Sequence, residues 1–136
     1  SYRSKAASED WPVKVKILQV EGPYHTPAFE PALAPLREAL KTIEIRTPKV
    51  PVFMGTSGKA ETDPPAIKEL LVAQAAACER HLDAVRAAYA AGCRDFLEIS
   101  FKPQPITWLS EQLVDADGAR LPGVNAVAVT TAELEA

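Results

Sequence analysis

One short run constrains the fold more than any other feature: Gly22-Pro23-Tyr24-His25-Thr26-Pro27. Before it, residues 13–20 are rich in β-branched side chains in partial alternation, which predicts a strand. Within it, Thr26 is a predicted helix N-cap with Pro27 at the first helical position. After it, apolar side chains recur at helical spacing, at Phe29, Leu33, Leu36 and Leu40. The run therefore places the imidazole of His25 in a loop between a strand and a helix.

Further strand and helix patterns alternate along the rest of the chain. Apolar and β-branched runs predict strands at 50–54, 96–99 and 124–129. Helical patterns begin at Thr62-Asp63-Pro64, with Ile67, Leu70 and Leu71 inward, and recur at 78–91, with Leu82, Val85 and Tyr89 inward, and at 105–113. We expect a polar tail or linker at 1–12 and one folded segment at 13–136. The order of elements predicts an α/β fold with a largely parallel sheet.

Composition excludes several classes of function. The chain has 136 residues, a net charge of -3 and no cluster of basic residues, so we expect no nucleic-acid partner. No stretch approaches the roughly 18 apolar residues of a membrane span, and the first residues lack the apolar core of a signal peptide. We therefore expect no membrane and a cytoplasmic location. Two histidines and two cysteines, without metal-ligand spacing, predict no metal site.

Three reactive side chains are predicted to take no part in chemistry. Cys78 and Cys93 fit no Cys-x-x-Cys pattern, and we expect two reduced, mostly buried thiols. His81 stands among charged residues, which predicts a solvated side chain on the polar side of its helix. The segment Gly55-Thr56-Ser57-Gly58-Lys59 is too short for a phosphate-binding loop, so we reject that function.

His25 is the first candidate for chemistry. It precedes a predicted helix start, where the partial positive charge disfavours an imidazolium. A neutral imidazole is what a general base requires near pH 7. The same position also suits a histidine that only satisfies backbone groups of the loop. The chain itself offers no convincing nucleophile for His25 to serve.

Two other polar residues interrupt apolar patterns. Gln74 follows Ile67 by seven residues and Leu70 by four, which puts its amide on the apolar face of a helix. A buried amide needs partners, so Gln74 either holds a loop or catalytic group, or is a helix-end residue at the edge of the core. Glu98 interrupts the strand at 96–99 near the end where ligands bind in α/β sheets. Its alternative is a carboxylate on a partly exposed strand face.

In their order, these segments resemble the C-terminal part of the malonyl-CoA:acyl carrier protein transacylase family, which includes acyltransferase domains of polyketide and fatty acid synthases. Gly-Pro-Tyr-His-Thr-Pro is similar to the family's Gly-x-Phe-His-Ser loop, and Glu30-Pro31-Ala32 to its Glu-Pro-Ala helix start. Thr56-Ser57-Gly58 resembles a Thr-x-Gly turn, and the segment from Ile67 to Gln74 an Ile-x-x-x-Leu-x-x-Gln helix. The resemblance implies part of an α/β-hydrolase-like large subdomain, with residues 13–20 as the last strand of a small ferredoxin-like subdomain.

The resemblance also implies a reaction. A serine attacks an acyl-CoA thioester, and the phosphopantetheine thiol of an acyl carrier protein then takes a malonyl-type acyl group from that serine. By resemblance, His25 is the base and Gln74 helps to position it. Tyr24 takes the place of a phenylalanine that many malonyl-selective members carry, which makes it a substrate-binding candidate. The substrates are acyl-CoA and the phosphopantetheinylated carrier protein, and no cofactor is implied. The family's serine elbow is absent here, which implies that an N-terminal half on another or longer chain is a partner.

Two other functions stay open. One is a catalytically silent module that docks a carrier protein or a synthase. Ser100-Phe101-Lys102 favours it, because the family usually has Gly-Pro-Gly there. The other is a self-sufficient hydrolase that uses Ser57 or Cys93 with His25.

Overall fold

The computed structural model describes residues 21–100, 109 and 112–130 of the chain. The predicted tail at 1–12, the predicted strand at 13–20 and most of the predicted helix at 105–113 lie outside these residues, as do Phe101 and Lys102. The division of the chain at residue 13 therefore stays a prediction.

Within the described residues, pairs of helices alternate with pairs of strands. A 3-10 helix, Pro27–Ala32, leads into α1, Leu33–Lys41. The elements that follow are β1 (Val52–Met54), β2 (Lys59–Glu61), α2 (Pro64–Ala73), α3 (His81–Ala90), β3 (Asp95–Ser100) and β4 (Asn125–Thr130).

The strands form two separate pairs. β3 and β4 are parallel, with Asp95 opposite Asn125 at one end of the register. β1 and β2 are antiparallel and form a hairpin, with Val52 opposite Glu61. The α/β fold with a parallel sheet is confirmed. The second strand of the hairpin, β2, was not predicted. Its three residues are a lysine, an alanine and a glutamate, which are all depleted in strands and carry no strand signal.

The first helix begins where the sequence predicts, with Thr26 at the N-cap position and Pro27 as the first helical residue, but its cap and its helix type differ from the prediction. Thr26 makes no side-chain cap, and its Oγ1 donates instead to the carbonyl of Pro23 at 2.7 Å. Pro31 lies inside the first turns and lacks the N–H that an α-helical bond would need. The chain therefore winds as a 3-10 helix before α1 starts at Leu33.

The start of α2 agrees with the sequence. Asp63 is the N-cap, and its Oδ2 accepts a hydrogen bond from the N–H of Ala66 at 2.9 Å, with Pro64 following as predicted. Just before it, the backbone N–H groups of Asp63 and Thr62 donate to Glu61 and hold the pKa of that carboxyl below its usual value.

Buried apolar side chains lie on β1 and α2, at Met54, Ile67 and Val72, and a further cluster of the core lies between α3 and the β3–β4 pair. This cluster consists of Val85, Leu109 and Leu113, with Phe96 and Ala126 among the half-buried side chains packed against it. The buried face of α3 also includes Ala84 and Ala88. The expectation that Leu82 points inward was wrong, because small alanines rather than large side chains form much of that face.

The opposite side of the β3–β4 pair exposes large apolar side chains. Leu97, Ile99 and Val127 are 61%, 67% and 57% exposed. Leu97 and Val127 are register partners, and Ile99 is two residues further on the same face. We call these three residues the open sheet face.

No helix among the described residues is long and apolar enough to cross a bilayer.

Candidate active site

The backbone of His25 is strained. Its φ is 59°, which makes it the one non-glycine residue with a positive φ among those described. Such a conformation costs roughly 1–3 kcal/mol and persists only where surrounding contacts impose it. Here the N–H of His25 donates to the carbonyl of Ala75 at 2.9 Å. The loop is thus held by a residue that is distant in sequence.

The same partner segment orients the imidazole. Nδ1 of His25 lies 2.9 Å from the main-chain carbonyl oxygen of Gln74. A carbonyl oxygen only accepts hydrogen bonds, so Nδ1 carries a proton, and in the neutral ring the lone pair is then on Nε2. The ring is half exposed, and Nε2 has no protein hydrogen-bond partner among the described residues. This is the tautomer that accepts a proton at Nε2.

The carbonyls that accept hydrogen bonds from His25 have no partner within α2, because α2 ends just before them. The last carbonyls of a helix have no partner within the helix. α2 ends at Ala73, and the N–H groups of Ala76 and Ala77 turn back to the Ala73 carbonyl. The carbonyls of Gln74 and Ala75 are then left to accept from His25. His25 does precede a helix start, as predicted, but its ring also makes a hydrogen bond to the carbonyl end of α2, which the sequence did not predict.

The side chain of Gln74 is not where its spacing predicts. Gln74 is exposed and is the C-cap of α2. The helical period that predicted a buried amide stops applying where the helix ends. Its main-chain carbonyl makes the hydrogen bond to His25. A role for Gln74 in positioning the imidazole stays a prediction.

The turn of the β1–β2 hairpin contacts both ends of the segment that connects α2 to α3. Its turn closes with a 2.8 Å bond from the N–H of Gly58 to the Met54 carbonyl. Thr56 Oγ1 donates to the carbonyl of Leu70 at 3.2 Å, near the end of α2. The N–H of Arg80 donates to the carbonyl of Gly55 at 2.7 Å, at the start of α3. Both sides of the α2–α3 connection are thereby fixed to one turn.

Tyr24 lies next to the histidine and is half exposed. Its ring stacks on Phe29, with centroids 4.7 Å apart and planes tilted by 37°. Phe29 also lines a shallow apolar depression of about 260 Å³, together with Pro23 and Pro31. The aromatic pair thus forms an accessible apolar surface beside His25. A substrate contact for Tyr24 stays a prediction.

Glu79 was missed by sequence reasoning. Its Oε2 lies 4.0 Å from Nδ1 of His25. The two residues are far apart in the chain, and neither periodicity nor a motif connects them. Only the fold of the α2–α3 connection places the carboxylate there.

The remaining candidates lie elsewhere. Ser57 Oγ accepts from the N–H of Lys59 at 3.3 Å, and neither it nor Cys93 contacts His25. Glu98 is half buried on β3 opposite Ala128. Among the described residues, no three His, Cys, Asp or Glu side chains are grouped to hold a metal ion.

Three side-chain expectations were wrong. Cys78 and Cys93 are free thiols but are exposed, because both lie in turns that flank α3 rather than on its inner face. His81 is half buried, and its Nε2 is enclosed without a hydrogen bond. This differs from the prediction because His81 is the first residue of α3, at the end where that helix packs against the rest of the chain.

Several known proteins contain a part that is similar to this chain in sequence or in structure. A Bacillus subtilis malonyl CoA-acyl carrier protein transacylase is 31% identical over 96 residues, which are 71% of this chain and 30% of that protein. A mouse mitochondrial malonyl-CoA-acyl carrier protein transacylase is 41% identical over 58 residues, 43% of this chain and 15% of that protein. The crystal structure of an acyl carrier protein S-malonyltransferase from Vibrio cholerae superimposes with a TM-score of 0.66 at 28% identity, over 87% of this chain and 36% of the other.

The chain is a relative of the malonyl-CoA:acyl carrier protein transacylases. The resemblance stated from the motifs is therefore confirmed, and so is the α/β acyltransferase fold. No family model matches the chain. The chain spans less than a third of the length of the curated transacylases that it matches.

Proposed function

We propose that this chain is the histidine-bearing segment of an acyltransferase. The reaction moves a malonyl-type acyl group from CoA to the phosphopantetheine thiol of an acyl carrier protein, and the nucleophilic serine lies outside this chain. One observation carries the proposal: Nδ1 of His25 donates to the Gln74 carbonyl, which leaves Nε2 as an exposed proton acceptor. The acyl group and the carrier protein are inferred from the names of the relatives.

Each half-reaction moves one proton through Nε2. In the first, the serine hydroxyl attacks the thioester while Nε2 takes its proton, and the proton then passes to the departing CoA thiolate. In the second, Nε2 takes the proton of the carrier thiol as that thiol attacks the acyl-serine, and returns it to the serine oxygen. No proton is gained or lost overall. The Gln74 carbonyl keeps Nδ1 protonated through both steps, which keeps the basic lone pair on Nε2.

The test begins with intact mass spectrometry of the protein purified from its source, before and after malonyl-CoA. We expect a companion chain or a longer polypeptide to gain a malonyl group. In parallel, this chain replaces the matched segment of the Bacillus subtilis relative, and the chimera is assayed for transfer to a phosphopantetheinylated carrier protein. A lone 14.7 kDa species without adduct, together with a folded but inactive chimera, would contradict the proposal.

The missing part of the transacylase is the proposed partner of the open sheet face. Three large apolar side chains there, Leu97, Ile99 and Val127, lack cover from the described residues. The relatives are more than three times longer than the segments they share with this chain, so most of their structure is available to form that cover. Burying one such side chain contributes about 1.5–3 kcal/mol.

We therefore expect Ile99→Lys to weaken binding of the missing part by roughly 10- to 100-fold, as measured by isothermal titration or pull-down with the unmatched portion of the relative. Ile43→Lys is the matched control, because Ile43 is 50% exposed and lies outside the open sheet face. Equal loss of binding in the two variants would show that the face is not the interface.

Tyr24 is the proposed contact for the acyl group. Its ring and that of Phe29 form the apolar surface beside His25. Tyr24→Ala removes one wall of that surface, and we expect the kcat/KM ratio for malonyl- over methylmalonyl-CoA to fall by about tenfold, since one methyl group in a pocket is worth 10- to 200-fold. Competition between the two acyl-CoA substrates measures this ratio. An unchanged ratio would assign Tyr24 to packing alone.

The silent docking module predicts either a filled cleft or a His25 side chain that is packed away. The exposed ring and its bond to the Gln74 carbonyl favour the catalytic reading instead. A cytoplasmic location stays a prediction, since two of the matching relatives are mitochondrial, and so does the choice between fatty acid and polyketide pathways.

A further inference from the structure

We propose that Glu79 is a positioning residue for His25. Its carboxylate acts beside the Gln74 carbonyl to favour the Nδ1-protonated tautomer, and it stabilises the imidazolium that forms when Nε2 takes a proton. The catalytic consequence rests on the proposed function, whereas the coupling between the two side chains does not.

The geometry places the charge on the correct side of the ring. Glu79 Oε2 lies 4.0 Å from Nδ1, the nitrogen that already donates to the Gln74 carbonyl at 2.9 Å. Both of these contacts are made by Nδ1, and neither involves Nε2, the proton-accepting nitrogen. A negative charge beside Nδ1 therefore stabilises the protonated ring without occupying the lone pair that does the chemistry. The side chains are 49% and 41% exposed, so water screens part of the attraction.

Within the part of the chain that the structure describes, no other cation pairs with the carboxylate of Glu79. The neighbouring Arg80 is committed to Asp83, with Nε and Nη2 each 2.8 Å from Oδ2. Among the described residues, no lysine or arginine lies within ion-pair distance of Glu79. Among the described residues, the imidazole of His25 is the group that lies within ion-pair distance of Glu79, at 4.0 Å.

Gly55 makes room for the carboxylate. A Cβ at Gly55 would overlap the Glu79 carboxylate, so the absence of a side chain in the hairpin turn creates the space that Glu79 occupies. The φ of Gly55 is outside the left-handed region, so its backbone accepts alanine. Gly55→Ala therefore displaces the carboxylate without removing its charge, and Glu79→Gln removes the charge without changing the shape.

The first experiment records the ring ¹⁵N signals of histidine in the 136-residue chain by NMR. The chain has only two histidines, and His25→Asn identifies the signals of His25. We expect Glu79→Gln and Gly55→Ala to shift those signals in the same direction, and the double variant to add nothing further. Glu44→Gln, the same change at an exposed glutamate outside the site, leaves them unchanged. Unshifted His25 signals in Glu79→Gln overturn the inference.

The second experiment measures transfer in the complete assembly. We expect Glu79→Gln and Gly55→Ala to lower kcat by about two- to fivefold, in the range of half-exposed ion pairs, with KM for the acyl-CoA unchanged. Glu79→Asp restores part of the loss, and Glu44→Gln has no effect. An active assembly that is indifferent to Glu79→Gln overturns the positioning role. An assembly that transfers nothing overturns the proposed function instead, and the NMR shifts then decide the coupling alone.

Discussion

His25→Asn is expected to lower the rate of acyl transfer in the complete assembly by about 10²- to 10⁴-fold, the contribution of a positioned general base. Asparagine is the variant of choice because the backbone of His25 has a φ of 59°, a region that asparagine tolerates and alanine does not. The loop is then preserved while the proton acceptor is lost. Single-turnover measurements of acyl-serine formation and of thiol attack check both half-reactions, because Nε2 serves in each.

Two controls make this result specific. His81→Gln changes the other histidine, which does not contact the His25 loop, and is expected to keep transfer within a factor of two. Added imidazole is expected to restore part of the activity of His25→Asn, because a diffusing base replaces the missing one. Full activity in His25→Asn would remove His25 from the mechanism.

Leu113→Ala is expected to lower the free energy of unfolding of the chain by about 2–5 kcal/mol, the range for large-to-small changes in a core. Leu113 is fully buried at 0% exposure and packs with Val85 and Leu109. Its backbone also joins two segments, with its N–H donating to Leu109 and its carbonyl accepting from Leu121. Truncation leaves a cavity where α3 meets the β3–β4 pair. Urea denaturation, followed by circular dichroism, measures the loss.

The same substitution at an exposed site serves as the control. Leu97→Ala removes the same atoms from the open sheet face and is expected to change stability by no more than about 0.5 kcal/mol. Equal losses in the two variants would place the core elsewhere.

Regular elements followed from local patterns where those patterns were strong. The proline and capping aspartate at the start of α2 produced the helix that they predict. The apolar run at 96–99 became β3, and the run at 124–129 became its parallel partner. Where the pattern was short or its residues small, prediction failed. β2 has three residues without strand character. On α3, the inward position of Val85 was predicted and that of the buried alanines was not, while Leu82 is exposed.

The site shows the same division more sharply. The sequence alone showed the order of motifs, from the His25 loop to the helix that ends at Gln74. This order was sufficient to identify the family resemblance. The amide of Gln74 was misplaced because periodicity says nothing beyond the end of a helix.

By itself, the sequence determined the order of elements, the α/β class and the histidine in its loop, because these depend on residues within a few positions of one another. The tertiary structure alone decided which nitrogen of His25 carries the proton and which groups surround it. The Gln74 carbonyl and the Glu79 carboxylate reach the ring from 49 and 54 residues away. Such contacts arise only when the end of α2, the hairpin turn and the His25 loop are packed together, and no local pattern encodes that packing.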